Sequence, residues 1–354
     1  MYICKKAESR ELGQISREDV SVATRADIAK LAGVSESTVS YALSGKRPIS
    51  EKTKNRVLAA VEELEYKSNY AAAALAGGLP RMVTMMTSNL FLTPPSRIDG
   101  ALVDGIVDGV RERGFHSVIW PISNDDDSDV PVLLQLNFSG GVILMNVVEN
   151  DPRVHLLNRK NVPFVVLGRT NVGFTYNFVD RDFEAVYTLA LTKFKDLGHT
   201  QIGVLSAHVV LNPLLKKIAA KLKLKLELLN CVNTMDGGAA VAKNFKKNHP
   251  AVTGIISLLD IAVVGFVNSS TNFGLSIPSD VSIIGVNMLE EQAVSSTPQI
   301  STIAFNAYEM AKSCGHIMVD SIEAGKNSKK KKTSELWIGD YMERDSTAIA
   351  RGGK

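Results

Sequence analysis

The sequence predicts a small all-α helix-turn-helix unit followed by an α/β core of two doubly wound subdomains with parallel sheets. Three observations support this fold class. The chain has 354 residues, which is too long for one ordinary core and suits two or three domains. Three short helical patterns follow one another between residues 25 and 66. Beyond Pro80, short apolar runs alternate with helical patterns, which is typical of parallel sheets with crossover helices.

The composition is typical of a globular protein in a reducing compartment. Apolar residues make up 45% and charged residues 22% of the chain, and no run approaches the roughly 18 apolar residues of a membrane-spanning helix. The N-terminal segment has charges where a signal peptide has its apolar stretch, so we expect a cytoplasmic protein without membrane contact. Cys4, Cys231 and Cys314 are far apart, which predicts neither a disulfide framework nor a zinc site. With a net charge of +3, any nucleic-acid surface must be local.

The patterns near the N-terminus have the spacing of three short helices. The first covers Asp27 to Ala32, and Gly33 after it permits a tight turn. Ser35 is placed to cap the second helix and Ser50 to cap the third. The predicted apolar positions are Ile28, Leu31 and Ala32 in the first helix, Val39, Ala42 and Leu43 in the second, and Val57, Leu58, Val61 and Leu64 in the third. Residues 1–21 are polar and lack a clear period, which predicts a disordered leader.

The second helix carries small hydrogen-bonding side chains opposite its apolar residues. In residues 34–50, VSESTVSYALSGKRPIS, these are Glu36, Ser37, Thr38, Ser40 and Tyr41. A helix that enters the DNA major groove must bury one face on its own domain and offer such groups to base edges. Five cations suitable for phosphate contacts follow, namely Lys46, Arg47, Lys52, Lys54 and Arg56. Many helix pairs have no DNA partner, so the pattern by itself leaves DNA binding open.

The remaining sequence contains two successive series of strand-like apolar runs. The runs lie at 82–86, 117–120, 141–145 and 162–167 in the first series, and at 202–206, 224–229, 253–259 and 281–286 in the second. Helical patterns lie between them, including Arg97–Arg113 and Phe183–Leu197. Two such series predict two doubly wound subdomains with right-handed crossovers. Ligands of such sheets bind beyond the carboxyl ends of the strands, here in the cleft between the halves.

Other chemistry has no positive support in the sequence. A calcium loop starting at the run Asp125–Asp129 would place Val130 where glycine is needed and Leu136 where glutamate is needed, so we interpret the run as a solvated loop. Lys329–Lys332 is interpreted as a surface loop between subdomains rather than a second DNA contact. The sequence contains neither a nucleophile elbow nor a P-loop. We therefore expect no enzymatic activity, no cofactor and no metal.

Residues 24–78, which begin TRADIAKLAGVSESTVSYALSGKRPIS, resemble without gaps the DNA-binding headpiece and hinge of the lactose/galactose-repressor (LacI-type) family of bacterial transcriptional regulators. Later segments carry the same resemblance: VDRDFEAVYTLALTKFKDLGHTQIGVLS (179–206), GLSIPSDVSIIGV (274–286), TPQISTI (297–303) and ERDSTA (343–348). The family has a core like that of periplasmic binding proteins. The implied domains are a headpiece at 22–67, a hinge helix or linker at 68–80, and a core at 81–348. Within the core, the N-subdomain is expected at about 81–180 and 304–332, and the C-subdomain at about 181–303 and 333–348.

The resemblance also implies which residues contact DNA. The matching headpiece positions are Thr24, Arg25, Ser35, Glu36, Ser37, Thr38, Ser40, Tyr41, Ser44, Ser50, Lys52 and Thr53. Family members choose their bases at the positions of Glu36, Ser37 and Tyr41, although Tyr41 packing against the headpiece is an alternative. The matching hinge positions are Asn69, Ala72, Leu75 and Ala76. The resemblance implies that Leu75 wedges into a central base step, and the alternative is that 69–78 is merely a linker.

An effector site is implied at the strand ends of the core. The matching positions are Asn89, Arg97, Asp180, Lys217, Asp260 and Asn287. The chain departs from the family pattern here, because Leu259-Asp260 replaces an asparagine-aspartate pair and Asn287 stands where aspartate is common. The ligand-gripping arginine of an R-x-x-G-aromatic motif is missing, and Lys217 is the nearest cation. Asp260 is interpreted either as a ligand group or as a helix N-cap.

These observations predict a homodimeric, ligand-responsive regulator of transcription, and a repressor in particular. Its partners would be a pseudo-palindromic, double-stranded operator DNA and a small polar effector such as a sugar, polyol or nucleoside. One alternative keeps DNA binding but places control in a partner protein, or makes the factor an activator. A solute-binding protein would share the core fold, but the absent export signal and the intact headpiece argue against it.

Overall fold

The computed structural model describes residues 23–44, 47–64, 66, 80–88, 97–122, 128–135, 139–325 and 332–351. The chain divides into two compact units, with the division after Ala73. The expected leader at 1–21 lies outside the described residues, as does the expected hinge at 68–80 apart from Pro80. Among the described residues, no helix combines the length and apolar content needed to cross a membrane.

The first unit consists of three helices, α1 (Arg25–Ala32), α2 (Glu36–Ser44) and α3 (Glu51–Glu63). Its buried core is formed by Ile28, Ala29, Ala32, Val39, Ala42, Val57 and Ala60. Three of the positions expected on apolar faces are instead substantially exposed: Leu31 at 45%, Leu43 at 38% and Leu58 at 44%. A unit this small cannot enclose the full apolar stripe of each helix, so residues at the edge of a stripe stay open to solvent.

The second unit contains nine further α-helices among its described residues. They are α4 (Arg97–Arg111), α5 (Asp129–Gln135), α6 (Pro152–Arg159), α7 (Phe183–Asp196), α8 (Pro213–Leu222), α9 (Met235–Asn248), α10 (Asp260–Ser270), α11 (Glu290–Val294) and α12 (Ala307–Glu323). Of the acidic run Asp125–Asp129, residues 125–127 lie outside the described part, and Asp129 begins α5.

The strands of the second unit form two six-stranded sheets. Their bounds are β1 (Met82–Ser88), β2 (His116–Ile122), β3 (Gly141–Leu144), β4 (Phe164–Leu167), β5 (Asn177–Arg181), β6 (Gln201–Ser206), β7 (Lys225–Asn230), β8 (Gly254–Ser257), β9 (Ser282–Gly285), β10 (Ser301–Ala304), β11 (Ser334–Trp337) and β12 (Asp340–Met342). The strand orders are β11-β5-β4-β3-β1-β2 and β12-β10-β9-β8-β6-β7. All neighbours run parallel except β12, which is antiparallel to β10. The predicted fold class is confirmed.

One predicted subdomain boundary is wrong. The C-subdomain was expected to resume at residue 333, but β11 pairs in parallel with β5 of the first sheet, and β12 joins the second sheet. The last crossover therefore falls at Ile338-Gly339. A Cβ on Gly339 would lie 1.8 Å from the carbonyl oxygen of Ala304, so the chain passes β10 too closely for any side chain there. The two residues between these short strands carry too little pattern to mark the crossing.

Candidate functional site

Helix α2 buries one face and leaves polar side chains on the other. Val39 is fully buried and Ala42 nearly so, which fixes the helix against the core of its unit. Ser35, Glu36 and Ser37 are exposed, and Thr38, Ser40 and Tyr41 are half-buried. Because the exposed groups donate and accept hydrogen bonds, this face has the chemistry needed to address base edges in the major groove.

Hydroxyl groups gather at the N-terminus of each helix in this unit. The backbone N–H of Thr38 donates to Ser35 Oγ at 3.2 Å, and that of Thr53 donates to Ser50 Oγ at 3.2 Å, as expected for N-caps. Thr24 and Asp27 form a reciprocal capping box on α1, and these hydrogen bonds lower the pKa of Asp27. Helix N-termini attract phosphate, so capping and a contact with the DNA backbone are compatible roles for these residues.

Tyr41 carries a cation on its ring. The Arg47 guanidinium lies 5.1 Å from the ring centroid, within the range of a cation–π interaction. Lys52, Lys54 and Arg56 of α3 are exposed. The side chain of Ser44 and all of Lys46, Asn69, Ala72, Leu75 and Ala76 lie outside the described part of the chain.

The second unit contains two adjoining cavities between its sheets. One has a volume of about 720 Å³ and the other about 410 Å³, and both are lined by Phe183, Tyr187 and Asn212. The larger is also lined by Asp99, Leu102, Met145, Asn146, Val147, Glu149, Leu167, Gly168, Arg169, Asp180 and Leu214. The smaller is also lined by Ser206, Ala207, His208, Val210, Pro213, Leu258, Leu259, Val286 and Asn287. Many of these residues follow the carboxyl ends of strands, where doubly wound sheets bind ligands. We call the two cavities together the cleft.

Asp180 and Asn287 lie in the cleft lining. Asp180 ends up beside Arg169, whose Nε donates to Asp180 Oδ2 at 2.6 Å, and the backbone N–H of Arg181 donates to Asp180 Oδ1 at 2.8 Å. Burial raises the pKa of Asp180, and the neighbouring Arg169 partly opposes this shift. Asn287 Oδ1 accepts a hydrogen bond of 3.4 Å from Arg181 Nη1.

Asp260 lies outside the lining of the cleft and does not cap α10, so its role as a ligand group stays a prediction. It is 1% exposed, absent from the lining of both cavities, and accepts hydrogen bonds from Asn233 Nδ2 at 2.8 Å and Gln292 Nε2 at 3.2 Å. It is also the first residue of α10 rather than its cap. Asn233 supplies the cap, because its Oδ1 accepts from the backbone N–H groups of Ile261 and Ala262, both at 3.1 Å.

Of the other three expected effector residues, Lys217 is not brought to the cleft, and the remaining two fall outside the described part of the chain. Lys217 is exposed and lies outside both linings, because the helical period of α8 turns Leu215 and Ile218 inward and leaves Lys217 toward solvent. Asn89 and the side chain of Arg97 lie outside the described residues.

Sequence reasoning missed Arg169, Phe183, Tyr187 and Asn212. Arg169 follows β4 and Asn212 lies in the connection after β6, so the rule that selected Asp180 at a strand end also applied to them. Phe183 and Tyr187 are four residues apart on α7 and contact each other, with ring centroids 5.7 Å apart. Their apolar character resembled that of ordinary core residues, which concealed their place in the lining.

Known protein families match segments in both units of the chain. Residues 24–69 match the description "Bacterial regulatory proteins, lacI family", and residues 191–347 match a periplasmic binding protein-like domain. The HTH-type transcriptional regulator AglR of Rhizobium meliloti (strain 1021) is 30% identical over 275 residues, which are 73% of this chain and 75% of AglR. The HTH-type transcriptional repressor PurR of Actinobacillus pleuropneumoniae serotype 3 (strain JL03) is 24% identical over 329 residues, 89% of this chain and 96% of PurR.

Solved structures share the fold. A lac repressor dimer bound to operator and the anti-inducer ONPF has a TM-score of 0.75 at 21% identity, covering 92% of this chain and 99% of that one. A complex of the transcriptional regulator CelR with cellobiose has a TM-score of 0.64 at 20% identity, with the same coverage of both chains. A helix-turn-helix unit joined to a periplasmic-binding-protein-like core defines a transcriptional regulator with a ligand-binding domain. The chain belongs to the lacI family of bacterial regulatory proteins.

Proposed function

We propose that the protein is a repressor that binds a pseudo-palindromic operator as a homodimer and releases or grips it in response to a small polar molecule in the cleft. The polar face of α2 is the observation that carries the DNA-binding part. Glu36 is able to accept a hydrogen bond from a cytosine amino group, and Ser37 is able to donate or accept at a base edge. Lys52 on α3 offers a charge to the phosphates.

The homodimer is inferred from symmetry. Two identical headpieces read two identical half-sites, so the preferred DNA should have a two-fold axis. The solved lac repressor is a dimer on its operator, which supports the same arrangement here. Residues 69–78 are proposed to act in the minor groove, with Leu75 as an apolar wedge, on the strength of their sequence resemblance alone.

The lining of the cleft supports a sugar, polyol or nucleoside as the effector. Phe183 and Tyr187 offer aromatic faces, while Asn146, Glu149 and Asn212 offer amide and carboxylate groups around them. A few polar groups among apolar walls are typical of small-molecule sites. The cellobiose complex of CelR shows that a protein of this fold takes a small carbohydrate.

Selection of DNA from a pool of random duplexes tests the proposed operator binding. We expect the wild-type protein to enrich a two-fold symmetric site. Ser37→Ala and Tyr41→Ala should change which base pairs are enriched, because they alter groups facing the bases. Lys52→Ala should weaken binding to every sequence alike and enrich the wild-type site, because a phosphate contact carries no sequence information. If Ser37→Ala and Tyr41→Ala also enrich the wild-type site, α2 is not the recognition helix.

A further inference from the structure

Arg181 holds a buried guanidinium at the junction of the two subdomains. The residue is 3% exposed and ends β5 of the first sheet. Its Nη1 donates to the carbonyl oxygen of Val286, just beyond β9 of the second sheet, at 2.7 Å. The rings of Phe305 and Phe183 flank the guanidinium, with centroids 3.8 Å and 5.4 Å from Cζ.

The other edge of this guanidinium has no protein partner among the described residues. Arg181 Nε and Nη2 are both shielded from solvent, and neither makes a hydrogen bond there. These two nitrogens form the fork with which arginine grips a carboxylate or phosphate. Arg153 uses the same fork in this protein, with Nε 2.9 Å from Asp151 Oδ1 and Nη2 2.6 Å from Asp151 Oδ2.

Among the described residues, the two carboxylates adjacent to Arg181 in sequence have other partners, since Asp182 Oδ1 accepts from the backbone N–H of Ala185 at 3.0 Å. The adjacent Asp180 is engaged by the Arg169 side chain and by the Arg181 backbone N–H. Burial lowers the pKa of Arg181 to about 10, so the guanidinium still carries its charge near neutral pH. A buried charge without a full set of partners is costly, which favours an anion that completes the set.

The fork lies among residues that line the cleft. Asp180, Phe183 and Tyr187 line the larger cavity, and Val286 and Asn287 line the smaller one. Tyr187 is close enough to Arg181 for each to shift the pKa of the other. Because both fork nitrogens are shielded, a ligand reaches them only if a lining side chain such as Phe183 moves aside.

We propose that Arg181 anchors an oxyanion of the effector, so that the protein responds to an acidic sugar or related polyol bearing a carboxylate or phosphate. This inference rests on the proposed effector site in the cleft and narrows its ligand to an anionic class. The cation that the sequence lacks in the R-x-x-G-aromatic motif is thereby supplied from the end of β5.

The first test uses the unmodified full-length protein. Glucuronate and gluconate are compared with glucose, galacturonate with galactose, and glucose 6-phosphate serves as the phosphate arm. Thermal unfolding finds the compounds that bind, and titration calorimetry measures their affinities. We expect at least one acid to bind about tenfold or more tightly than its neutral parent, and the arm that wins identifies the oxyanion as carboxylate or phosphate.

The second test replaces the fork. Arg181→Lys keeps a positive charge but loses the two parallel donors, so it should weaken the acid by about tenfold or more and leave the neutral parent unchanged. Arg113→Lys is the matched control, because Arg113 pairs with Asp320 and Glu323 at the surface, away from the cleft lining. It should change neither affinity.

The outcomes separate this inference from the proposed function. If neutral parents bind the wild-type protein as tightly as the acids, or if Arg181→Lys keeps the preference for the acid, the oxyanion anchor is wrong while the effector site stands. If no compound of either kind binds, the oxyanion anchor for an acidic sugar is contradicted, while an uncharged polyol or a nucleoside still fits the proposed function. If Arg181→Lys does not fold, the comparison of acids with neutral parents on the wild-type protein still decides.

Discussion

Asp260 shows at the scale of one residue why a sequence position does not define a binding role. Its place after β8 matches family ligand positions, but its carboxylate is occupied inside the C-subdomain by Asn233 and Gln292. Those partners are 27 and 32 residues away in sequence, so no local sequence pattern predicts these hydrogen bonds. Asp180 lines the larger cavity, because the end of a buried strand fixes where its side chain lies, and its contact with an effector stays a prediction.

Replacing Asp260 should therefore reduce stability rather than ligand binding. Asp260→Ala leaves the two amide donors without an acceptor, which should lower the free energy of unfolding by about 1–3 kcal/mol. Asp260→Asn retains an acceptor oxygen and should cost less. Urea unfolding measures the first quantity, and effector titration should show unchanged affinity. Unchanged stability together with lost effector binding would restore Asp260 as a ligand group.

His199 should make stability depend on pH. Its Nδ1 lies 2.9 Å from Thr253 Oγ1 and its Nε2 lies 3.1 Å from the carbonyl oxygen of Ala348, and burial lowers its pKa. The folded pKa is below the unfolded value of about 6.5, so the stabilisation from neutral His199 is fully present above that pH. It is lost as the pH falls below that value and through the folded pKa.

A non-titrating replacement isolates this effect. Between about pH 7.5 and pH 5.5, the wild-type protein should lose more stability than His199→Gln, by at most about 1.4 kcal/mol per pH unit. Urea unfolding at both pH values gives the difference. Parallel losses in the two proteins would mean that His199 does not titrate differently in the folded and unfolded states.

At the scale of elements, the pairing of α4 with α12 depends on glycine. A Cβ on Gly105 would lie 2.2 Å from the carbonyl oxygen of Tyr308, and one on Gly109 would lie 2.3 Å from that of Lys312. Both backbones must move apart to admit a side chain. Gly105 and Gly109 are four residues apart and therefore share one face of α4, but the sequence does not show that this face meets the backbone of another helix.

Replacement by alanine should change the free energy of unfolding in opposite directions at Gly109, which faces α12 closely, and at Gly100, which does not. Gly109→Ala should lower the free energy of unfolding by about 1–3 kcal/mol, because overpacking forces backbone shifts. Gly100→Ala should raise it by about 0.4–1 kcal/mol, because a Cβ there meets none of the described residues within 4 Å and alanine favours the helix. Thermal or urea unfolding decides. Equal effects at the two positions would contradict the close approach of α12.

Strands were easier to predict than crossovers. The runs GVIL and FVVL are buried at every residue, as expected in a parallel sheet covered on both faces, so apolar runs located β3 and β4. The turn from β11 to β12 had no such signal. At this turn Gly339 passes close to the backbone of Ala304, a residue distant in sequence, so the residues around the turn do not reveal the approach.

At the scale of the whole molecule, the order of the two units was predictable because each has its own sequence pattern. The polar face of α2 was also predictable, since helical periodicity separates Val39 and Ala42 from Glu36 and Ser37. The cleft was predicted only in outline. Its lining joins residues as distant as Asp99 and Asn287, and only the folded chain brings such positions together.

Operator affinity measured against salt concentration tests the proposed function most directly. Fluorescence anisotropy is recorded with the selected symmetric duplex and with a scrambled duplex, from about 50 to about 200 mM salt. We predict that the symmetric duplex binds more tightly throughout and that both affinities fall steeply with salt, because phosphate contacts release counterions. An affinity that is independent of salt, or equal for the two duplexes, would contradict the proposal that this protein reads an operator through α2.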